Sequence, residues 1–232
     1  MKVLAFRTLC GVFQDSKDRG LLSIYLWGSM TSPDYNPTVC DVDSIGILTD
    51  KANFEEMEQM RDWLPGLEPR LKHLHINFFY LSELKGGPQR SRIARLHHAE
   101  QAVSDFPNWQ YVCGKKFTSS DFPVVTPRQA LKHQVMLTKS KMEWVLSGKY
   151  GDKGLEYFCK GLAWLCYNIH KISSPPSPFS WKELKNEATD ETRELIQVLL
   201  ALKSNRWSTE AIKAKMPYLL DTTNRLIAKY KN

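Results

Sequence analysis

One stretch constrains the chain more than any other: Trp27-Gly28-Ser29, eleven residues, then Asp41-Val42-Asp43. Leu21 to Trp27 is apolar and rich in strand formers, and Val39, Ile45, Ile47 and Leu48 read as a second strand over 39–49. Thr31, Ser32, Pro33, Asp34, Asn36 and Pro37 between them spell a loop. Gly28-Ser29 thus sits where one strand ends, and the two aspartates sit on its neighbour.

Period two supplies the chemistry. Side chains i and i+2 of a strand share a face. Asp41 and Asp43 therefore aim two carboxylates at one point, and Val42 faces a core. Such a pair repels unless a cation lies between. Mg²⁺ suits it, because it takes one or two carboxylates and completes its octahedron with water and phosphate oxygens. Gly28 lets backbone approach a ligand, and Ser29 can hold a terminal phosphate. A Gly-Ser pair alone is a turn, and an Asp-x-Asp alone is a solvated strand. Together they point to a nucleoside triphosphate and phosphoryl or nucleotidyl transfer.

At Trp27, Gly28, Ser29, Asp41, Val42 and Asp43 the sequence resembles the DNA polymerase beta superfamily of nucleotidyltransferases. The likeness is densest over residues 20–50. More loosely, the whole layout is similar to small-molecule adenylyltransferases of the aminoglycoside-resistance type. The resemblance implies an α/β (α+β) nucleotidyltransferase domain with a mixed sheet over residues 1–122, then an all-α helical bundle over 123–232. It also implies transfer of a nucleoside monophosphate, AMP from ATP, to an acceptor hydroxyl with Mg²⁺ on Asp41 and Asp43.

The strand that should carry a third acid departs from that family. Residues 71–81, LKHLHINFFYL, contain no carboxylate. Leu74, Ile76 and Phe78 take one face; His75, Asn77 and Phe79 take the other. His75 or Asn77 stands where the acid is expected, with the register open, as a possible third ligand. Neither adds negative charge, so the metal is expected to bind more weakly. In aminoglycoside enzymes a glutamate further along activates the acceptor. Glu83 and Glu100 are the candidates, each also readable as an exposed surface residue. Glu100 is preferred as the catalytic base, because Glu83 lies at the strand end.

Composition narrows the class. The 232 residues are 42% apolar and 25% charged, the profile of a globular chain. The net charge of +7 is uneven: residues 1–125 hold 14 Lys and Arg against 15 Asp and Glu, and residues 126–232 hold 18 against 10. A basic C-terminal half suits polyanions, not a polycationic aminoglycoside. Five cysteines without a CxxC pair exclude a zinc site or disulfide framework and fit a reducing compartment. No 18-residue apolar run and no signal peptide are visible, so a cytoplasmic protein is expected.

The remaining elements follow in order. Residues 2–16 and 52–64 have helical spacing, the second N-capped by Asp50 and closed by Pro65-Gly66. Residues 85–99 form a basic loop running into a helix, whose Arg90, Arg92, Arg95, His97 and His98 could face phosphates. A short strand ends at Gly114. Helices are expected over 128–147, 152–171, 180–204 and 208–230, with a proline-rich loop at 173–178. Lys139, Lys141, Tyr157, Tyr167 and Lys160 are the substrate candidates there. Resemblance assigns Lys160 to the nucleotide; snorkelling at the bundle edge is its alternative. The acceptor, a small molecule or RNA, is expected between the domains. The competing reading is a catalytically weakened nucleotide- or nucleic-acid-binding module on the same fold, regulatory in role.

Overall fold

The structure is a computed structural model. It describes residues 2–35, 41–68, 71, 74–173 and 179–231, and only the backbone of Arg61, Asp62, Trp63, Pro65, Leu96 and His97. Val39, the start of the 71–81 stretch at Lys72 and His73, and residues 174–178 of the proline-rich loop lie outside the described residues, as do the side chains of Trp63 and His97. The chain divides into two compact units, one ending at Val125 and one beginning at Thr126, with Phe179 grouped with the first.

Unit one is a four-stranded mixed sheet built from β1 (Leu21–Trp27), β2 (Val42–Leu48), β3 (Leu74–Tyr80) and β4 (Gln110–Gly114). The strand order is β3-β2-β1-β4. β1 runs antiparallel to β2 and β4, while β2 and β3 are parallel. The parallel step needs a crossover, which α2 (Phe54–Leu67) supplies.

Strand alternation buries both faces. Ile24, Leu26, Val42, Leu48, Leu74, Ile76 and Phe78 form one core with Ala5, Leu9 and Val12 of α1 (Lys2–Ser16) and Met57, Met60 and Leu64 of α2. Tyr25, Ile45, Ile47 and Phe79 form the other, covered by α3 (Leu81–Leu84), α4 (Arg92–His97) and α5 (Ala99–Ser104). Tyr25 centres an aromatic layer there, 5.6 Å from Phe106 and 5.8 Å from Trp109 between ring centroids. Its hydroxyl accepts the Phe117 N–H at 2.7 Å, and burial pushes the phenol above its ordinary range. Gly46 makes room between the strands: a Cβ there lies 2.5 Å from the Phe78 ring.

Several local expectations change. The N-cap of α2 is Asn53, whose side chain accepts from Glu55 N at 3.1 Å; Asp50 instead bonds Arg90 and Ser82. α2 continues through Pro65 and Gly66 to Leu67. The 85–99 stretch breaks into α4 and α5 at His98, which has φ 53°.

Unit two contains α6 (Pro127–Leu146), α7 (Gly151–Lys171), α8 (Trp181–Asn186), α9 (Asp190–Ser204) and α10 (Thr209–Tyr230). The single helix expected over 180–204 is two. Ala188 is buried between them, and Thr189 opens the second with extended φ/ψ. α7 is the central element: Phe158, Cys159, Leu162, Leu165 and Cys166 are fully buried along it. Burial pushes both of those thiols up to about 12. Among the described residues, no helix is long and apolar enough to cross a membrane.

Gly46→Ala is expected to lower stability by about 1–3 kcal/mol, because the Phe78 ring must leave its rotamer. Thermal or urea unfolding measures it, and a value near zero shows that the strand can give way.

Candidate active site

β1 ends at Trp27, and Gly28–Thr31 turn back as a short 3₁₀ segment. Gly28 adopts φ +64°, the left-handed region that glycine enters without strain. The antiparallel register sets Trp27 opposite Asp43. The Asp43 carboxylate therefore lies against Gly28: a Cβ on that glycine stands 3.1 Å from Asp43 Oδ2. Ser29 Oγ donates to the Asp41 carbonyl at 2.9 Å, and Thr31 Oγ1 donates to the Gly28 carbonyl at 3.0 Å. One turn thus touches both acids, through a carboxylate in one case and a backbone carbonyl in the other. Asp41 precedes the ladder, and Asp43 lies within it.

The parallel pairing of β2 and β3 fixes the register that the sequence leaves open. His75 stands opposite Asp43, and Asn77 stands opposite Ile45. His75 is exposed and Asn77 half-buried. His75 therefore holds the place beside the aspartate, and Asn77 sits one step deeper on the same face.

Glu83 is not a surface glutamate. It is fully buried. Its Oε2 accepts the Tyr80 N–H at 2.8 Å, and its Oε1 accepts the N–H groups of Arg90 and Ser91. Three backbone donors satisfy this carboxylate, which pins the 90–91 segment to the end of β3. Fully buried, it is not placed to meet an acceptor hydroxyl. Glu100 lies in the first turn of α5, half-buried.

Of the basic 85–99 residues, Arg90 pairs with Asp50 at 3.0 Å and stacks its guanidinium 4.2 Å from the Tyr80 ring centre. Arg92 and Arg95 are exposed on α4. In unit two, Lys160 pairs with Glu156 at 2.7 Å, one helical turn away, as an edge ion pair. Lys139 and Tyr157 are exposed. Tyr167 is buried, edge-on to Trp164 at 5.3 Å.

Sequence inspection missed one buried carboxylate. Asp105 accepts the Trp27 indole N–H at 2.9 Å through Oδ2, and the Asn108 amide at 2.8 Å through Oδ1. It therefore fixes the side chain that immediately precedes Gly28. The partners are 78 residues apart, and no local pattern announces the contact.

No protein-family model matches the chain, and no curated protein matches it. Among solved structures, it is similar to a spectinomycin adenyltransferase from Enterococcus faecialis, crystallised with ATP and spectinomycin. The superposition has a TM-score of 0.65, covers 99% of each chain and carries 10% identity. The fold is that of a nucleotidyltransferase. Within this nucleotidyltransferase fold the Gly28-Ser29 turn and the two aspartates are adjacent in space as well as in motif.

Glu83→Gln is expected to cost about 1–3 kcal/mol of stability, because an amide cannot accept from all three buried N–H groups. Chemical unfolding checks it; a variant as stable as the parent removes the structural role given to Glu83.

Proposed function

We propose that the chain transfers a nucleoside monophosphate, AMP from ATP, to an acceptor hydroxyl with Mg²⁺. One observation carries this reading: the turn at Gly28 and Ser29 packs against Asp43 and holds the Asp41 carbonyl, at the paired ends of the two central strands of a sheet with a nucleotidyltransferase fold. The adenyltransferase of similar fold was crystallised with ATP and an acceptor. Among the described residues no three His, Cys, Asp or Glu side chains converge to hold a metal. A pair of carboxylates still fits Mg²⁺, whose remaining positions suit water and phosphate oxygens. When bound, the ion neutralises charge on the triphosphate and on the departing pyrophosphate.

Each residue then has a role in the proposal. Backbone N–H groups at Gly28 and Ser29 hold the β- and γ-phosphates. Asp41 and Asp43 hold the metal. Glu100 takes the acceptor proton as its oxygen attacks the α-phosphorus in line; the bond to the β-phosphate oxygen breaks and pyrophosphate leaves. Lys160 contacts the nucleotide. His75, with Asn77 behind it, fills the third position without adding a carboxylate. The acceptor is a small molecule or RNA. The four described cysteines, Cys10, Cys113, Cys159 and Cys166, are free thiols, which agrees with a cytoplasmic site of action.

Asp41→Asn and Asp43→Asn should each lower release of pyrophosphate from ATP by about a hundredfold or more, without lowering the melting temperature. Folded variants that turn over at the parental rate reject the assignment. His75→Asp should tighten Mg²⁺ binding several-fold in calorimetric titrations with non-hydrolysable ATP, since it restores a third carboxylate beside Asp43. Unchanged Mg²⁺ affinity places His75 outside the metal's surroundings.

A further inference from the structure

Trp27, Asp43 and His75 form one row across β1, β2 and β3. The antiparallel register sets Trp27 directly opposite Asp43, and the parallel register sets His75 on the far side of that aspartate. Directly opposed residues of an antiparallel pair share a face, with Cβ atoms about 5 Å apart. This is the face of Tyr25, Ile45 and Ile47, and the half-buried Trp27 indole packs at the edge of their core. An indole is large, and χ1 has three staggered positions. Left free to rotate, the ring sweeps over its Asp43 neighbour.

One bond prevents that rotation. Asp105 Oδ2 accepts the indole N–H at 2.9 Å. Asp105 is itself a fixed point. It is 8% exposed, and its Oδ1 accepts the Asn108 amide at 2.8 Å. Its backbone N–H donates to the Ala102 carbonyl at 3.1 Å, and its carbonyl accepts the Asn108 N–H at 2.9 Å. It stands just before β4, which flanks β1 on the side opposite β2. The indole N–H is therefore drawn toward the β4 side, while Asp43 lies on the β2 side. Apolar contacts suffice to pack an indole. A buried carboxylate carries a desolvation penalty that its donors must offset, and it adds what packing lacks, a fixed orientation of the ring.

We propose that Asp105 is a positioning residue: it restrains the Trp27 ring and so keeps the Asp43 carboxylate open to Mg²⁺ and the triphosphate. The inference rests on the nucleotidyl-transfer reading of the Gly28–Asp43 site. Asp105 acts through Trp27 and touches no substrate. An asparagine at 105 preserves the restraint, because its Oδ1 accepts the indole N–H and its amide pairs with Asn108 once that side chain turns over. An alanine does not. The obstruction in the alanine variant is the indole itself, so removing the indole as well lifts it. A carboxylate that only stabilised the fold would give the opposite result, a double variant weaker than the single one.

The test is calorimetric titration of the full chain with non-hydrolysable ATP and Mg²⁺, with the melting temperature of each variant beside it. Asp105→Ala should weaken binding by about tenfold, the scale of one lost hydrogen bond to a charged group. Asp105→Ser, whose hydroxyl falls short of the indole, carries the same expectation and serves if the alanine variant does not fold. Asp105→Asn should stay within about threefold of the parent, since a neutral acceptor still holds the ring. Adding Trp27→Leu to Asp105→Ala should recover most of the lost affinity. Parental affinity in a folded Asp105→Ala or Asp105→Ser variant overturns the restraint. So does an Asp105→Asn variant that binds no better than Asp105→Ala, or a double variant that recovers nothing. Failure of the transfer reading looks different: the parent itself then has no affinity for the nucleotide with Mg²⁺, and the role of Asp105 falls with it.

Discussion

The antiparallel ladder between β1 and β2 is the constraint on which the rest of unit one depends. Antiparallel pairing puts the end of one strand beside the start of the next, so Trp27 faces Asp43. The same ladder brings Gly28 within contact of a carboxylate fifteen positions away in sequence. A parallel pair would have sent those two ends to opposite edges of the sheet. Gly28 then turns with positive φ, and the absence of a Cβ leaves space for the acid.

The two cores hold that ladder in place. α1 and α2 cover one face, and the aromatic layer around Tyr25 covers the other. A one-residue slip in β2 would turn Val42 toward solvent and Asp43 into the α1–α2 core, so burial fixes the register. Glu83 and Asp105 contribute differently. Each is a buried carboxylate satisfied by donors, three backbone N–H groups for Glu83 and an indole and an amide for Asp105. Removing a donor or the acceptor would leave a buried polar group unpaired.

The motif, the strand alternation and the amphipathic helices were legible because each is written within a few residues. Leu74, Ile76 and Phe78 do share a face opposite Phe79, as period two requires. What was not legible depends on distant partners. The β2–β3 register emerges only when α2 returns the chain, so His75 and Asn77 could not be told apart beforehand. Glu83 looks like any polar residue after a strand until the 90–91 backbone folds over it. The break between α8 and α9 falls at Glu187 and Ala188, where Ala188 is buried and Thr189 turns extended as the N-cap of α9.

The hydrogen bond from Ser29 to the Asp41 carbonyl has a consequence for how such a chain can diversify. It clasps both ends of the eleven-residue excursion at its base. Lengthening a loop whose ends are already clasped changes closure entropy only logarithmically, about 0.6 kcal/mol per doubling. The excursion can therefore gain or lose residues, and with them new surface chemistry, while the acids below stay where they are.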